Sequence, residues 1–271
     1  MPTSTASDTV FAGSIPGLYD RYLGPLLFQP YAEEVARRAQ RFMPGHVLET
    51  AAGTGIVTEA LHRALSDANI VATDLNPAML EVAAQRIRSD KVSFEAADAQ
   101  DLRFADATFD LVVCQFGVMF FPDKVRANSE ARRVLRDGGR YLTVIWDSVE
   151  RNPGSDEIGR AVAALFPDNP PHFIDRTPFG YSDVAQIERD LIAAGFADVE
   201  LETVEKRSRA SSARDVAIGM CCGSPLRSEI EERDPAMLDR AVDAAAAALA
   251  RWEGPDGFDA PMSALFVTAV K

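Results

Sequence analysis

One stretch constrains the fold more than any other: Val47-Leu48-Glu49-Thr50-Ala51-Ala52-Gly53-Thr54-Gly55-Ile56-Val57. A short apolar run closes on an acid and passes into a Gly-x-Gly turn. Beyond the turn, Val57, Ala60, Leu61, Ala64 and Leu65 recur at helical spacing. Strand, glycine turn and helix N-terminus, in that order, make the nucleotide-binding entry of a doubly wound α/β domain, because glycine lets backbone approach a ligand closely.

The chain after this entry alternates. Residues 70–73 read as a strand ending at Asp74, and Asn76 and Pro77 supply the N-cap and first-turn proline of a helix running to about Arg88. Residues 92–96 form a third strand ending at Asp98, and residues 109–116 a fourth. A helix from about Asp123 to Arg136 stops at Gly138-Gly139, and residues 141–146 form a fifth strand. Such alternation predicts a parallel sheet covered on both faces, with ligands at the carboxyl ends of its strands. Prolines 153, 167, 170, 171 and 178 interrupt residues 151–181, leaving a short helix near 156–165. Long irregular segments of this kind serve as lids or are disordered. Asp183 caps a helix with Val184, Ile187 and Leu191 inward, ended by Gly195. Residues 199–208 are a sixth strand. Residues 213–252 are helical, with breaks at 223–225 and Pro235, and residues 263–270 close the sheet antiparallel to the sixth strand.

At the other end, residues 1 to about 16 are expected to be loosely draped. Residues 18–28, aromatic-rich and broken by Gly24-Pro25, read as a hydrophobic clasp. Pro30 opens a helix with Ala32, Val35, Ala36, Ala39 and Phe42 on one face, ended by Pro44-Gly45. The expected fold is α/β: a Rossmann-like, seven-stranded, mostly parallel sheet with an antiparallel sixth/seventh hairpin, helices on both faces and helical lid insertions. It is read as a single domain over 1–271. Residues 1–43 are a helical clasp or lid, 44–150 the cofactor-binding core, and 151–182 a lid insertion. Residues 183–271 complete the sheet, with a helical insertion at about 211–257.

With 271 residues and 47% hydrophobic content, the chain can fill a full α/β core. Its net charge of −13 opposes a nucleic-acid surface, which needs clustered Lys and Arg. Residues 1–17 hold no basic residue and no long apolar run, and no stretch approaches the roughly 18 apolar residues of a membrane span. Of three cysteines, Cys221 and Cys222 are adjacent, which makes neither a disulfide framework nor a spaced zinc pattern. The expectation is a reduced, cytoplasmic protein without membrane insertion or a metal.

The nucleotide is chosen by details of the turn. A dinucleotide fingerprint reads Gly-x-Gly-x-x-Gly and faces a pyrophosphate. Here Thr58 stands at the third position and Glu49 precedes the glycines. A carboxylate offers a pyrophosphate nothing, whereas it suits the ammonium and sulfonium of S-adenosyl-L-methionine. Glu49-x-Ala51-x-Gly53-x-Gly55 resembles motif I of the class I S-adenosylmethionine-dependent methyltransferases, with Ala51 in place of the usual first glycine. Asp74, 19 residues beyond Gly55, is placed to accept hydrogen bonds from ribose hydroxyls. By the same resemblance Asp98 holds the adenine amine, with the backbone of Ala99 at the ring edge. The resemblance covers 47–146 and is strongest to the small-molecule branch that contains the ubiquinone- and menaquinone-pathway enzymes. The segment Arg133-Val134-Leu135-Arg136-Asp137-Gly138-Gly139 is similar to that branch as well. It implies cofactor contacts at Tyr22, Glu49, Ala51, Ala52, Gly53, Thr54, Gly55, Asp74, Leu75, Met79, Asp98, Ala99, Gln100, Gln115 and Phe116.

Gln115 and Phe116 end the fourth strand, where the methionine moiety and the acceptor meet in this fold. Met119, Phe120 and Phe121 follow, and read either as acceptor contacts or as core. Tyr19 and Tyr22 are placed to close over the cofactor, as the N-terminal tyrosines of similar enzymes do. Tyr19, Met119, Phe120, His172, Phe173 and Phe179 are the candidates for acceptor or lid contacts. Displacement from an already activated sulfonium is catalysed largely by alignment and exclusion of water. A base is needed only if the acceptor must lose a proton. His46 starts a strand at the wrong end and His62 is expected to face outward. His172 is the remaining candidate, against its reading as an exposed loop histidine, and no catalytic residue is assigned. The function expected is methyl transfer to a small, partly apolar molecule. One rival is an NAD-dependent oxidoreductase, opposed by Thr58, by Glu49 and by the lack of a Tyr-x-x-x-Lys pair. The other is a catalytically silent binding or scaffolding protein.

Overall fold

The computed structural model describes residues 15–271. Its strands are β1 His46–Thr50, β2 Asn69–Asp74, β3 Val92–Ala96, β4 Phe109–Gln115, β5 Leu135–Trp146, β6 Asp198–Ala210, β7 Glu253–Gly254 and β8 Gly257–Val270. They form one sheet in the order β3-β2-β1-β4-β5-β8-β6, with β7 paired to β8 off that path. Strands β1 to β5 pair in parallel, and β8 runs antiparallel to β5, from Arg140↔Val270 to Trp146↔Ala264. The seven expected strands are present. The eighth, β7, is a two-residue extension that folds back on β8, which begins at Gly257, six residues before the expected start.

The chain divides into two compact units. The sheet unit comprises Tyr31–Trp146, Tyr181–Val204 and Ala264–Lys271. The accessory unit comprises the described residues up to Pro30 together with Asp147–Gly180 and Glu205–Ser263.

In the sheet unit, Val47, Leu48, Glu49 and Thr50 of β1 are all buried, as are Leu111 to Gln115 of β4. That is why these strands read as near-continuous apolar runs instead of alternating ones. Helix α3, Ile56–Ala64, buries Val57, Thr58, Ala60 and Leu61, and α4, Pro77–Arg86, buries Met79, Leu80 and Ala83. Asn76 caps α4 by accepting a hydrogen bond from the Ala78 amide at 3.0 Å, with Pro77 in the first turn as expected. Strand order reverses between β1 and β4, and open α/β sheets bind ligands at such a switch point.

Helix α5, Lys124–Val134, ends two residues earlier than expected. Leu135, fully buried, is already extended and pairs with Phe109. The Gly138-Gly139 pair therefore serves the strand and not the helix end. Gly138 has φ +76, and the two glycines exchange backbone hydrogen bonds with Lys271. Helix α8, Val184–Ala193, is capped by Asp183 and ended by Gly195 at φ +95, both as read.

The accessory unit departs further from expectation. Helix α1, Ile15–Leu18, runs into a π-helical stretch, Tyr19–Phe28, where a break at Gly24-Pro25 is expected. The Gln29 amide reaches back five residues to the Gly24 carbonyl, and this wider turn accommodates a proline that an α-turn would expel. Helix α2, Gln29–Phe42, follows directly. Of the loosely draped segment expected at the start, residues 1–14 lie outside the described residues, and Ile15 and Pro16 are buried. The proline-rich segment holds α6, Pro153–Ala163, with Pro153 in the first turn, and a second, unexpected turn of helix, α7, Phe173–Arg176. Helices α9 Ala213–Cys222, α10 Leu226–Arg233 and α11 Leu238–Ala248 are separated at the breaks read from the sequence.

Candidate cofactor site

The glycine turn is built from left-handed backbone. Ala51, Gly53 and Gly55 have φ of 55°, 57° and 81°. The Ala52 amide donates to the Thr73 carbonyl at 2.9 Å, tying the turn to β2. Asp74 completes that tie. Its Oδ2 accepts from the Gly53 amide at 2.9 Å and its Oδ1 from the Asn76 amide at 2.8 Å. Burial pushes the Asp74 carboxyl upward from its ordinary pKa, and the two amides oppose that rise. The two glycines serve different ends. A Cβ on Gly53 would find ordinary room, 3.6 Å from Met79 Cε, so its demand is for positive φ. A Cβ on Gly55 would lie 2.8 Å from that of Ala83, so this glycine lets α3 start close against α4.

Glu49 lies beneath the turn. It is 2% exposed, and the Thr58 hydroxyl donates to its Oε2 at 2.7 Å. Burial raises its pKa to about 8, with the Thr58 bond working against the rise and the Asp74 charge adding to it. Thr58, noticed in the sequence only as a missing glycine, is thus the partner of the motif's acid. A second hydroxyl, that of Thr54, is buried in the turn with no hydrogen-bond partner among the described residues.

Next along the strand ends, Leu75 is 62% exposed beside Asp74, while Met79 is buried. The Ala97 amide donates to the Asp74 carbonyl, tying β3 to β2. Asp98 Oδ1 accepts from the backbone amide of Gln100 at 2.8 Å and from its side-chain amide at 3.2 Å. Gln100 Oε1 in turn accepts from the Asp123 amide at the start of α5. Ala99 is buried. The structure thus brings Glu49, Ala51–Gly55, Asp74, Leu75, Met79 and Asp98–Gln100 to the carboxyl ends of three adjacent parallel strands.

At the end of β4, Gln115 is buried and Phe116 takes a left-handed φ of 56°. The Phe116 ring stacks on Trp146 with centroids 3.8 Å apart and planes 7° from parallel, and Tyr31 meets both rings edge-on. Cys114 is fully buried, and burial pushes its thiol up to about 11 although the Gly117 and Val118 amides donate to the sulfur. Met119 is buried and Phe120 and Phe121 are half-buried. Trp146, Tyr31 and Gly117 carried no signal in the sequence, since nothing local links them to the motif.

The remaining candidates belong to the accessory unit. Tyr19 stacks on Phe28 at 4.9 Å, and the Arg21 guanidinium lies 5.1 Å from the Tyr22 ring centroid. His172 is exposed, and it is its backbone amide that is engaged, donating to Glu229 at 2.8 Å. Phe173 and Phe179 are buried within that unit. His46 is exposed at the start of β1. His62, expected to face outward, is half-buried with Nδ1 enclosed. Among the described residues no three His, Cys, Asp or Glu are grouped to hold a metal ion, and no helix is long and apolar enough to cross a membrane.

Residues 48–143 match the methyltransferase domain family. The chain is 33% identical over 165 residues to the demethylmenaquinone methyltransferase of Thermobifida fusca, covering 56% of this chain and 69% of that one. The chain belongs to the class I S-adenosylmethionine-dependent methyltransferases. A second methyltransferase relative, the demethylmenaquinone methyltransferase of Clavibacter sepedonicus, is 36% identical over 57% of this chain and 66% of its own. The ubiquinone/menaquinone biosynthesis C-methyltransferase UbiE of a Bradyrhizobium strain is 38% identical over 42% of this chain and 47% of its own. The matches therefore span about half to two thirds of these relatives. Among solved structures, the YcgJ protein of Bacillus subtilis shares the fold at TM-score 0.59 and 17% identity, over 89% of this chain and 98% of its own. The [4+2]-cyclase SpnF does so at TM-score 0.59 and 19% identity, over 99% and 98%. The methyltransferase fold is thus shared with a cyclase, so fold alone does not name a reaction.

The residues present fit the methyltransferase cofactor. An unpartnered buried hydroxyl at Thr54, a left-handed turn with room for a Cβ at Gly53, and a carboxylate at the end of β2 form a cradle, beside which the Arg86 guanidinium donates to the Thr54 carbonyl at 3.1 Å. A ribose-bearing ligand finds hydrogen-bond acceptors in the Asp74 carboxylate there.

Proposed function

We propose that the protein transfers a methyl group from S-adenosyl-L-methionine to a small, partly apolar acceptor. The observation that carries this reading is the Asp74 carboxylate, held by two backbone amides at the mouth of the glycine turn, one strand from a buried acid. The cofactor supplies a methyl group on a positively charged sulfur, an activated electrophile. The chain's own residues have three tasks. Asp74 accepts from the ribose hydroxyls, the Gly53 turn admits the methionine portion, and Glu49, protonated in the cofactor-free fold, lies beneath the cationic end, whose charge would favour its ionisation. The relatives named for quinone pathways support a small ring-bearing acceptor. The segments outside 48–143 would select it, since the family match does not reach them. A net charge of −13 supports an acceptor other than nucleic acid, and three free cysteines support a reducing, cytoplasmic setting.

Calorimetric titration with S-adenosylhomocysteine and, separately, NAD tests the cofactor. S-adenosylhomocysteine should bind in the micromolar range, about −8 kcal/mol. Asp74→Ala should weaken that binding roughly 10- to 100-fold through loss of charge-assisted hydrogen bonds. Binding of NAD alone would overturn the reading. Transfer of a labelled methyl group to a panel of small aromatic hydroquinones, amines and thiols then tests the reaction itself.

A further inference from the structure

The turns that end β1 and β4 interlock through two small residues, Ala51 of the cofactor motif and Gly117, to which the cofactor reading gives no role. The Ala51 methyl lies so close to Gly117 that a Cβ built on Gly117 would sit 2.5 Å from it and 2.8 Å from the Cys114 sulfur. Gly117 has φ −104°, which any residue adopts, so space alone requires glycine there. Ala51 presents the converse case. Its φ of 55° favours glycine, and the motif pattern has glycine at this position, yet the chain keeps a methyl group against that strain. The residue before Gly117 is strained as well. Phe116 is a bulky side chain at φ 56°, held by its stack on Trp146 and by its amide bond to the Val144 carbonyl at 2.8 Å. Asp74 thus holds the Gly53 amide, two residues along the turn from Ala51, whose methyl abuts Gly117, the neighbour of Phe116 in its stack on Trp146.

We infer that Ala51 and Gly117 are positioning residues: their contact transmits cofactor loading at the glycine turn to the Phe116–Trp146 stack at the ends of β4 and β5. This rests on the cofactor reading above. A ligand that settles the turn against Asp74 fixes the Ala51 methyl, and the methyl braces the loop that carries Phe116. Packed contacts can carry such coupling, but only a measured coupling establishes it.

The chain has two tryptophans, so Trp252→Phe leaves Trp146 as the one indole. In that background S-adenosylhomocysteine is titrated twice, by calorimetry and by Trp146 emission. The expected result is an emission change that saturates with the calorimetric isotherm. Ala51→Gly, added to the same background, is titrated to its own calorimetric saturation, so that its emission is compared with the parent's at full loading. Its emission change should be lost. Ala51→Ser, which keeps a Cβ, should retain it. Calorimetric binding with no emission change in the parent would overturn the inference and leave the cofactor reading intact. So would an undiminished change in Ala51→Gly, which would mean direct quenching by the ligand. Absence of calorimetric binding in the parent would instead overturn the cofactor reading.

Discussion

Glu49 and Asp74 lie on neighbouring strands and divide two duties between them. Asp74 is oriented toward the turn by backbone amides, while Glu49 is enclosed with a hydroxyl partner. The raised pKa of Glu49 has a consequence for stability. The folded chain holds a proton there that an unfolded chain loses near its ordinary 4.5, so the contribution of neutral Glu49 is complete below 4.5 and is lost as pH rises to about 8. Urea midpoints of the cofactor-free protein should therefore fall across that window, by the equivalent of a few kcal/mol at most. In Glu49→Gln the fall should be much smaller. The upward displacement of Asp74 acts in the same direction in both proteins, so the larger fall in the parent reports Glu49 together with its coupling to Asp74. An equal fall in both would show that Glu49 is ionised in the fold. At the same scale, Gly55→Ala must push Ala83 aside at a positive φ and should cost roughly 2 kcal/mol or more. Gly53→Ala, which meets only ordinary contacts, should cost about 1 kcal/mol. Denaturant midpoints of the two variants check that order.

At the scale of elements, the helix ends governed by local chemistry were readable and those governed by distant contacts were not. Asn76 and Asp183 cap α4 and α8 as read, because a cap is a bond between residues two or three apart. Helix α5 ends before the glycine pair that the local sequence offers as its stop, because Leu135 is drawn into the sheet beside Phe109 and the distant Lys271 takes the glycines. Helix α7 has no local signal for a similar reason. Its first turn is held by Glu229 of α10, which accepts from the His172 and Phe173 amides and pairs with Arg176 at 2.7 Å. Both side chains of that pair are largely buried, so removing one leaves an uncompensated charge. Glu229→Ala should lower stability by about 3 kcal/mol. Hydrogen exchange should quicken in residues 172–181 before it does in β1 or β4, and uniform exchange along the chain would show that α7 does not depend on this anchor.

For the molecule as a whole, the strand order puts the ends of β3, β2 and β1 side by side and turns at β1/β4. Saturation with S-adenosylhomocysteine at about 100 times its Kd should add roughly 2.7 kcal/mol to stability and raise Tm accordingly. The slowing of amide exchange should concentrate at residues 51–55, 74–76 and 98–100. Slowing spread evenly over the sheet, or confined to β6 and β8, would mean that the ligand lies elsewhere.

What the sequence determined by itself was everything that short-range pattern can encode. Apolar runs marked the parallel strands, caps and prolines marked the helix starts, and Glu49, Gly53, Gly55, Asp74 and Asp98 marked the strand ends that meet at the site. Tertiary structure alone decided how those residues are used. It buried Glu49 against Thr58, spent both Asp74 oxygens on backbone amides, set the Ala51 methyl against Gly117, and stacked Phe116 on Trp146. The physical reason is range: hydrogen-bonded turns and helical faces join residues a few positions apart, whereas burial, charge state and close approach are fixed by which distant segments the sheet brings together.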